Sequence, residues 1–251
     1  MTAPRLSVVV ITLNEEDNIR ECLASVSWAD EIIVVDAGSE DKTVTIAREF
    51  TDHVVLRAWD GFAGQKNFGI ERATGDWILS VDADEQVEPA LRDEIRAVIA
   101  APDASAGYRL ARRNIMWGRW IRHGRLYPDW QLRLFRRGSG RFVDRAVHES
   151  VQVDGAVGRL REPLVHRSYR DVGDFLRRAD RYSTLAAEEW MQSGRPFRAS
   201  TLLTAPLGRF LGMYVVHRGF LDGTRGFLLA ALYAYYVFVR SAKIWERSTR
   251  R

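Results

Sequence analysis

The chain has 251 residues, enough to bury a substantial core in one domain with appendages. Its single cysteine, Cys22, excludes an intrachain disulfide and suits a reducing cytoplasm. The net charge of +4 hides a split: residues 1–108 carry 9 Lys/Arg against 21 Asp/Glu, and residues 109–251 carry 28 against 12.

In chain order, the β-branched run Ser7-Val8-Val9-Val10-Ile11 predicts a first buried strand. It is too short for the apolar centre of a signal peptide, and acids follow at once, so no leader is expected. After Thr12-Leu13-Asn14-Glu15-Glu16, the residues Ile19, Cys22, Leu23 and Val26 recur at helical spacing and put the thiol on a buried face. Glu31-Ile32-Ile33-Val34-Val35-Asp36 reads as a second strand ending on an acid. Ser39 or Asp41 can cap a helix carrying Val44, Ile46 and Ala47. His53-Val54-Val55-Leu56 is a third strand and 62–73 a helix. Trp77-Ile78-Leu79-Ser80-Val81 is a fourth strand, and it delivers Asp82-Ala83-Asp84-Glu85. Strands alternating with helices predict an α/β fold with a parallel sheet and right-handed crossovers. Ligands bind beyond the carboxyl ends of such strands, where Asn14, Asp36, Asp82 and Asp84 all fall.

Two carboxylates one residue apart at a strand end raise each other's pKa unless a cation sits between them. A cation that suits oxygen ligands and a substrate phosphate is Mg²⁺ or Mn²⁺. The pattern is short, and alone it also fits a solvated junction. No G-x-G-x-x-G and no Walker lysine loop follows the first strand, which counts against a dinucleotide dehydrogenase or a P-loop ATPase. An acid-rich edge suits a metal-bridged nucleotide diphosphate instead. Asp36 can accept hydrogen bonds from base or ribose, and Asp82 and Asp84 can hold ribose and metal.

Four segments occur in order: Val10-Ile11-Thr12-Leu13-Asn14-Glu15-Glu16, Val34-Val35-Asp36-Ala37-Gly38-Ser39, Gly64-Gln65-Lys66-Asn67-Phe68-Gly69 and Leu79-Ser80-Val81-Asp82-Ala83-Asp84. Together they resemble a family 2 inverting glycosyltransferase. Tyr127-Pro128-Asp129-Trp130-Gln131-Leu132-Arg133-Leu134-Phe135 and Val147-His148-Glu149 resemble a narrower branch that includes bacterial lipopolysaccharide-core β-1,4-glucosyltransferases. The resemblance implies a GT-A fold, a Rossmann-like nucleotide-diphospho-sugar transferase, here with a helical C-terminal extension. It implies Thr12, Asn14, Glu15, Asp36, Lys66 and Asp82 on the donor and Asp84 on Mg²⁺ or Mn²⁺.

Residues 109–145 are dense in arginine, with Trp117, Trp120, Tyr127, Trp130 and Phe135 interleaved. Basic plus aromatic is also a nucleic-acid signature. The acceptor reading is preferred, since pyranose rings take aromatic faces and phosphates take guanidinium groups. Residues 129–135 alternate like a strand, so some of these aromatics face a core. Inverting transfer needs a base for the acceptor hydroxyl. Glu149 is favoured, where the family places its base, and Asp129 is the runner-up. Either could instead pair with an arginine. His148 and His166 are read as core or supporting histidines.

Residues 172–191 read as a helix with Phe175, Ala179, Tyr182, Ala186 and Trp190 on one face. Beyond it, 210–216 and 227–239 are apolar and aromatic. The 14 residues between Arg225 and Arg240 would make a helix of about 21 Å, against a hydrocarbon core of about 30 Å. Helices on a membrane surface, or packed on the domain, are therefore expected rather than a span.

The expected organisation is 1–108 as the nucleotide-sugar-binding half, 109–195 as the acceptor half and 196–251 as a helical membrane-surface or packing extension. The expected function is transfer of a hexose, glucose from UDP-glucose, onto a lipid-linked glycan such as a lipopolysaccharide core. The expected place is the cytoplasm, peripheral on the inner face of the cytoplasmic membrane, with no nucleic-acid partner. Transfer to a polyprenyl phosphate is the enzyme alternative. A membrane-surface or nucleic-acid-binding protein on an inactive nucleotide-binding domain is the non-enzyme one.

Overall fold

A computed structural model describes residues 3–143 and 150–249. By contacts the chain divides into two units, residues 1–112 with 129–166, and 113–128 with 167–251.

The first unit begins with β1 (Leu6–Thr12), α1 (Ile19–Val26), β2 (Glu31–Asp36), α2 (Thr43–Ala47), β3 (Val54–Leu56), α3 (Phe62–Arg72) and β4 (Trp77–Asp82). β5 (Glu85–Gln86) and α4 (Pro89–Ala100) follow, then β6 (Gly107–Met116), whose last residues enter the second unit. β1 lies between β2 and β4 and is parallel to both, and β2 is parallel to β3, as the alternation of strand and helix requires.

Period-two alternation sends neighbouring residues of β1 to opposite layers. Val8 and Val10 pack with Ile19, Cys22 and Leu23 of α1 and Leu91, Ile95 and Ile99 of α4. Val9 and Ile11 pack with Ile33, Val35, Ala63 and Ile78 under α3. Both faces being covered explains why β1 and β4 read as unbroken apolar runs. Gly69 sets how closely α3 lies on the sheet, since a Cβ there would stand 2.4 Å from a Val9 methyl.

Past β6, the short β7 (Arg119–Trp120) pairs with Ile115 and Met116 in the second unit. β8 (Asp129–Arg136) returns to the first unit and runs antiparallel to both β4 and β6. β9 (Gly140–Val143) and β10 (Ser150–Val153) form a two-stranded ribbon. β11 (Val157–Arg159) pairs with β6, and β12 (Leu164–Tyr169) carries Val165 and His166 antiparallel to β5.

The second unit is mainly helical: α5 (Val172–Gln192), α6 (Thr201–Leu211) and α7 (Gly223–Thr249). Asp171 caps α5 by accepting from the Asp174 amide at 2.6 Å. A π-helical turn (Gly212–Val216) and a 3-10 turn (Gly219–Asp222) join α6 to α7. Their reversal is tight: a Cβ on Gly226 would lie 1.9 Å from the Gly219 carbonyl oxygen. Met116, Ile121 and Leu229 are buried together with Trp117, Leu126, Tyr169 and Tyr233 against them.

One expectation changes. α7 does not stop at Arg225 or Arg240 but has 27 residues, a length of about 40 Å. Lys243 stays in it because its ammonium reaches Asp180 Oδ1 at 2.6 Å and Thr184 Oγ1 at 2.7 Å on α5. The limit of 14 residues drawn from the flanking arginines therefore fails. Among the described residues, the stretch Gly219–Thr249 is the one helical segment long and apolar enough to cross a membrane by length and composition.

Candidate active site

Strand register assembles the site. Thr12 stands opposite Asp36 across β1 and β2, and Ile11 stands opposite Asp82 across β1 and β4. Thr12, Asp36 and Asp82 therefore share one carboxyl edge. Thr12 is buried, and its hydroxyl has no hydrogen-bond partner among the described residues. Asn14 takes a left-handed backbone, φ 54°, and stitches the first two loops together. Its amide donates to Ser39 Oγ at 2.9 Å, and its Oδ1 accepts from the Glu40 amide at 2.9 Å. Glu15 accepts from Asn18 Nδ2 at 2.7 Å. Asp36 is buried and shapes its own turn, accepting from the amides of Gly38 at 3.0 Å and Ser39 at 2.9 Å and from the Ser39 hydroxyl.

A row of alternating charges runs behind this edge. Lys66, only 1% exposed, places Nζ 2.8 Å from Asp82 Oδ1. Arg133 binds Asp82 Oδ2 through Nη2, and the same nitrogen donates to Glu85 Oε1 at 2.8 Å. Glu85 is fully buried and also accepts from the Asp82 amide at 2.9 Å. Arg112 lies 3.6 Å from Glu85 and 2.5 Å from Asp129 Oδ2. Gln131 Nε2 donates to Asp129 Oδ1 at 2.8 Å.

These partners set the acidities. Burial works against ionising Asp82, but the Arg133 and Lys66 cations hold its carboxyl far below the usual carboxylate range. Burial pushes Glu85 up, Arg133 opposes it, and the Asp82 charge adds to the rise. Asp129 is pulled below its ordinary value, since Arg112 and the Gln131 amide outweigh its partial burial. Asp129 is thus a stable anion inside an arginine clamp.

The second acid of the pair sits apart. Pairing of β5 with β12 places His166 opposite Glu85 and brings His166 Nε2 to 3.4 Å from Asp84 Oδ2. Sequence reading set His166 down as a core or supporting residue, and no local signal ties it to a carboxylate 82 positions earlier. Among the described residues no group of three or more His, Cys, Asp or Glu could hold a metal. The Asp84 carboxylate, with other positions left to diphosphate oxygens and water, suits Mg²⁺ or Mn²⁺ beside a nucleotide diphosphate, and an imidazole next to it favours Mn²⁺, the softer of the two. Glu149, the favoured base, lies outside the described residues, as does His148. A pocket lined by Arg109, Trp130, Gln131, Arg133, Phe142 and Ser150 adjoins this row, and Arg159 covers the Trp130 ring at 5.0 Å.

Comparison with known proteins gives the family and the fold. The chain matches the description "Glycosyl transferase family 2" over residues 7–165. It is 34% identical to a lipopolysaccharide core biosynthesis glycosyltransferase, LpsC, of Rhizobium meliloti, covering 96% of this chain and 92% of that one. It is 30% identical to an uncharacterised glycosyltransferase of Rickettsia typhi, covering 98% and 88%. Among solved structures, a mannosyltransferase from Pyrobaculum calidifontis, in complex with GDP-Man and Mn²⁺, superposes with a TM-score of 0.56 at 17% identity, covering 97% and 88%. That likeness shows the fold, and the fold is GT-A, as the sequence motifs implied.

Proposed function

We propose, from the premise that this chain belongs to glycosyl transferase family 2, that it moves a hexose with inversion onto a lipid-linked glycan of the lipopolysaccharide-core type. UDP-glucose is the proposed donor. The observation that carries the reading is likeness to the Rhizobium meliloti enzyme along nearly the whole chain, beyond the donor motifs alone. The proposed place of work is the cytoplasmic face of the inner membrane, with the protein held peripherally.

In this reading the nucleoside lies along the edge formed by Thr12 and Asp36, whose turn is already shaped by Gly38 and Ser39. Thr12 brings to that edge a buried hydroxyl without a partner among the described residues. Asp84 and His166 would hold Mg²⁺ or Mn²⁺, which when bound neutralises charge on the departing diphosphate. Asp82, engaged by Lys66 and Arg133, holds the strand end in place and presents Asp84. Residues 109–195, with Arg109 and Trp130 at the pocket, supply the acceptor half.

The acceptor hydroxyl attacks the anomeric carbon from the face opposite the diphosphate. Its proton passes to a carboxylate, and Glu149 is assigned that role. Asp129 is the poorer acceptor, because the Arg112 clamp lowers its basicity. Purified protein given UDP-glucose, Mn²⁺ and a truncated lipopolysaccharide core should yield a β-linked product from the α-linked donor. NMR of the new anomeric centre tests this, and an α-linked product would refute inversion. Preference for another nucleotide sugar over UDP-glucose would overturn the donor.

A further inference from the structure

The second unit carries an apolar face that none of its own elements covers. From Thr201 to Val216 the chain is continuously helical, and α6 contains no buried residue. Leu203, Leu207, Leu211 and Val215 recur every four residues and are 76%, 59%, 45% and 54% exposed. At four-residue spacing they form one stripe along the helix. Val216, Phe220 and Leu221, also exposed, prolong it into the turns before α7. The helix is held in place from the side. Phe210 and Tyr214 stack at 5.4 Å, and both meet the Phe227 ring edge-on, at 5.7 and 5.6 Å.

The charge around this stripe has one sign. Between residues 195 and 225 stand Arg195, Arg198, Arg209, Arg218 and Arg225, against a single acid, Asp222. Asp222 is taken up internally, accepting from the His123 amide at 2.8 Å with His123 Nδ1 at 3.1 Å. Arg195, Arg198, Arg209 and Arg218 are exposed.

We propose that the face of Thr201–Val216 lies in the plane of an anionic bilayer. Leu203, Leu207, Leu211 and Val215 enter the acyl boundary, and Arg198, Arg209 and Arg218 meet lipid phosphates. The inference deepens the peripheral-membrane reading above by naming the surface. Sixteen helical residues span about 24 Å, short of a hydrocarbon core of about 30 Å but ample for lying along it. A second copy is a poor occupant, because a two-fold contact through this face would bring the same arginines against these, and Asp222, the one acid of residues 195–225, is already engaged.

The test uses full-length protein co-sedimented with phosphatidylglycerol vesicles at low salt, with phosphatidylcholine vesicles as reference. Wild type should bind the anionic vesicles, and Leu207→Glu with Leu211→Glu should weaken binding by roughly 30-fold or more. The single variant Leu203→Asn, at the most exposed position, should weaken it several-fold with an unchanged melting temperature. Phe238→Glu with Trp245→Glu, on the exposed side of α7, should bind as wild type. Loss through the α7 pair and not through the α6 variants would overturn the assignment while leaving membrane binding intact. No binding by wild type would overturn the membrane reading itself. A wild-type dimer in ultracentrifugation that Leu207→Glu dissolves would give the face to a second copy instead.

Discussion

At the scale of single residues, the two acids of Asp82-Ala83-Asp84 have different environments, and their variants should separate. Asp84→Asn should nearly abolish transfer, as should chelation of wild type, because charge on the leaving diphosphate is no longer offset. Full activity in excess EDTA would remove that role. His166→Ala should weaken Mn²⁺ affinity in a donor-free titration, and an unchanged affinity would leave His166 a purely structural neighbour. Glu149→Gln should lower turnover by roughly 10²-fold or more with donor binding intact. Asp129→Asn should do less to turnover yet cost about 1–3 kcal/mol of stability, because Arg112 loses the nearer of its two carboxylate partners. If Asp129→Asn is the dead variant and Glu149→Gln is active, the base assignment is reversed. Acid stability follows from the same groups. Asp82 and Asp129 have folded pKa values below the unfolded ones, so their contribution is present above about pH 4 and is lost as pH falls through the depressed values. Glu85 is raised, so its contribution runs the other way, being present at low pH and lost as pH rises through its folded value. The melting temperature of wild type should therefore fall below about pH 4. Glu85→Gln should leave that fall in place and remove the loss of stability as pH rises above about 4, and an unchanged profile there would contradict the balance described.

At the scale of elements, what could be read in advance follows from how local the signal is. β1, β2 and β4 are legible because each is a β-branched or apolar run whose two faces are both covered, and their ends place Asp36 and Asp82 at one edge without further information. The alternation over residues 129–135 correctly foretells β8, yet nothing in it says that Arg133 turns toward Asp82 and Glu85. His166 joins Asp84 only through the pairing of β12 with β5, a long-range event without a sequence period. α7 runs past both Arg225 and Arg240, because a cation does not end a helix and Lys243 beyond them is accommodated by oxygens on α5. Gly69, quoted only as part of a motif, has a physical task in closing α3 onto β1. Gly69→Ala would press a methyl against Val9 and should cost about 1–3 kcal/mol, seen as a lower melting temperature. An unchanged melting temperature would mean that α3 can lift at no cost.

At the scale of the whole molecule, the uneven charge of the chain has a destination for each sign. Acids of the first 108 residues such as Asp36, Asp82 and Glu85 are engaged by a turn and by ion pairs at the carboxyl edge of the sheet, while Arg209 and Arg218 stand exposed on α6 and the turn after it. If α7 stays packed on α5, alkaline carbonate should strip the protein from isolated membranes into the supernatant. Retention in the pellet would mean instead that the stretch Gly219–Thr249 crosses the bilayer. The row from Lys66 through Asp82, Arg133, Glu85 and Arg112 to Asp129 has a thermodynamic side as well. Its members are fastened to one another by ion pairs within the chain, which hold the strand edge by themselves. A donor arriving there loses its own freedom but does not have to freeze the protein's, and the entropy that a floppy carboxylate edge would forfeit is already spent in folding. Calorimetric titration should therefore find a smaller entropic penalty for donor binding in wild type than in Lys66→Met, where one end of the row is cut loose.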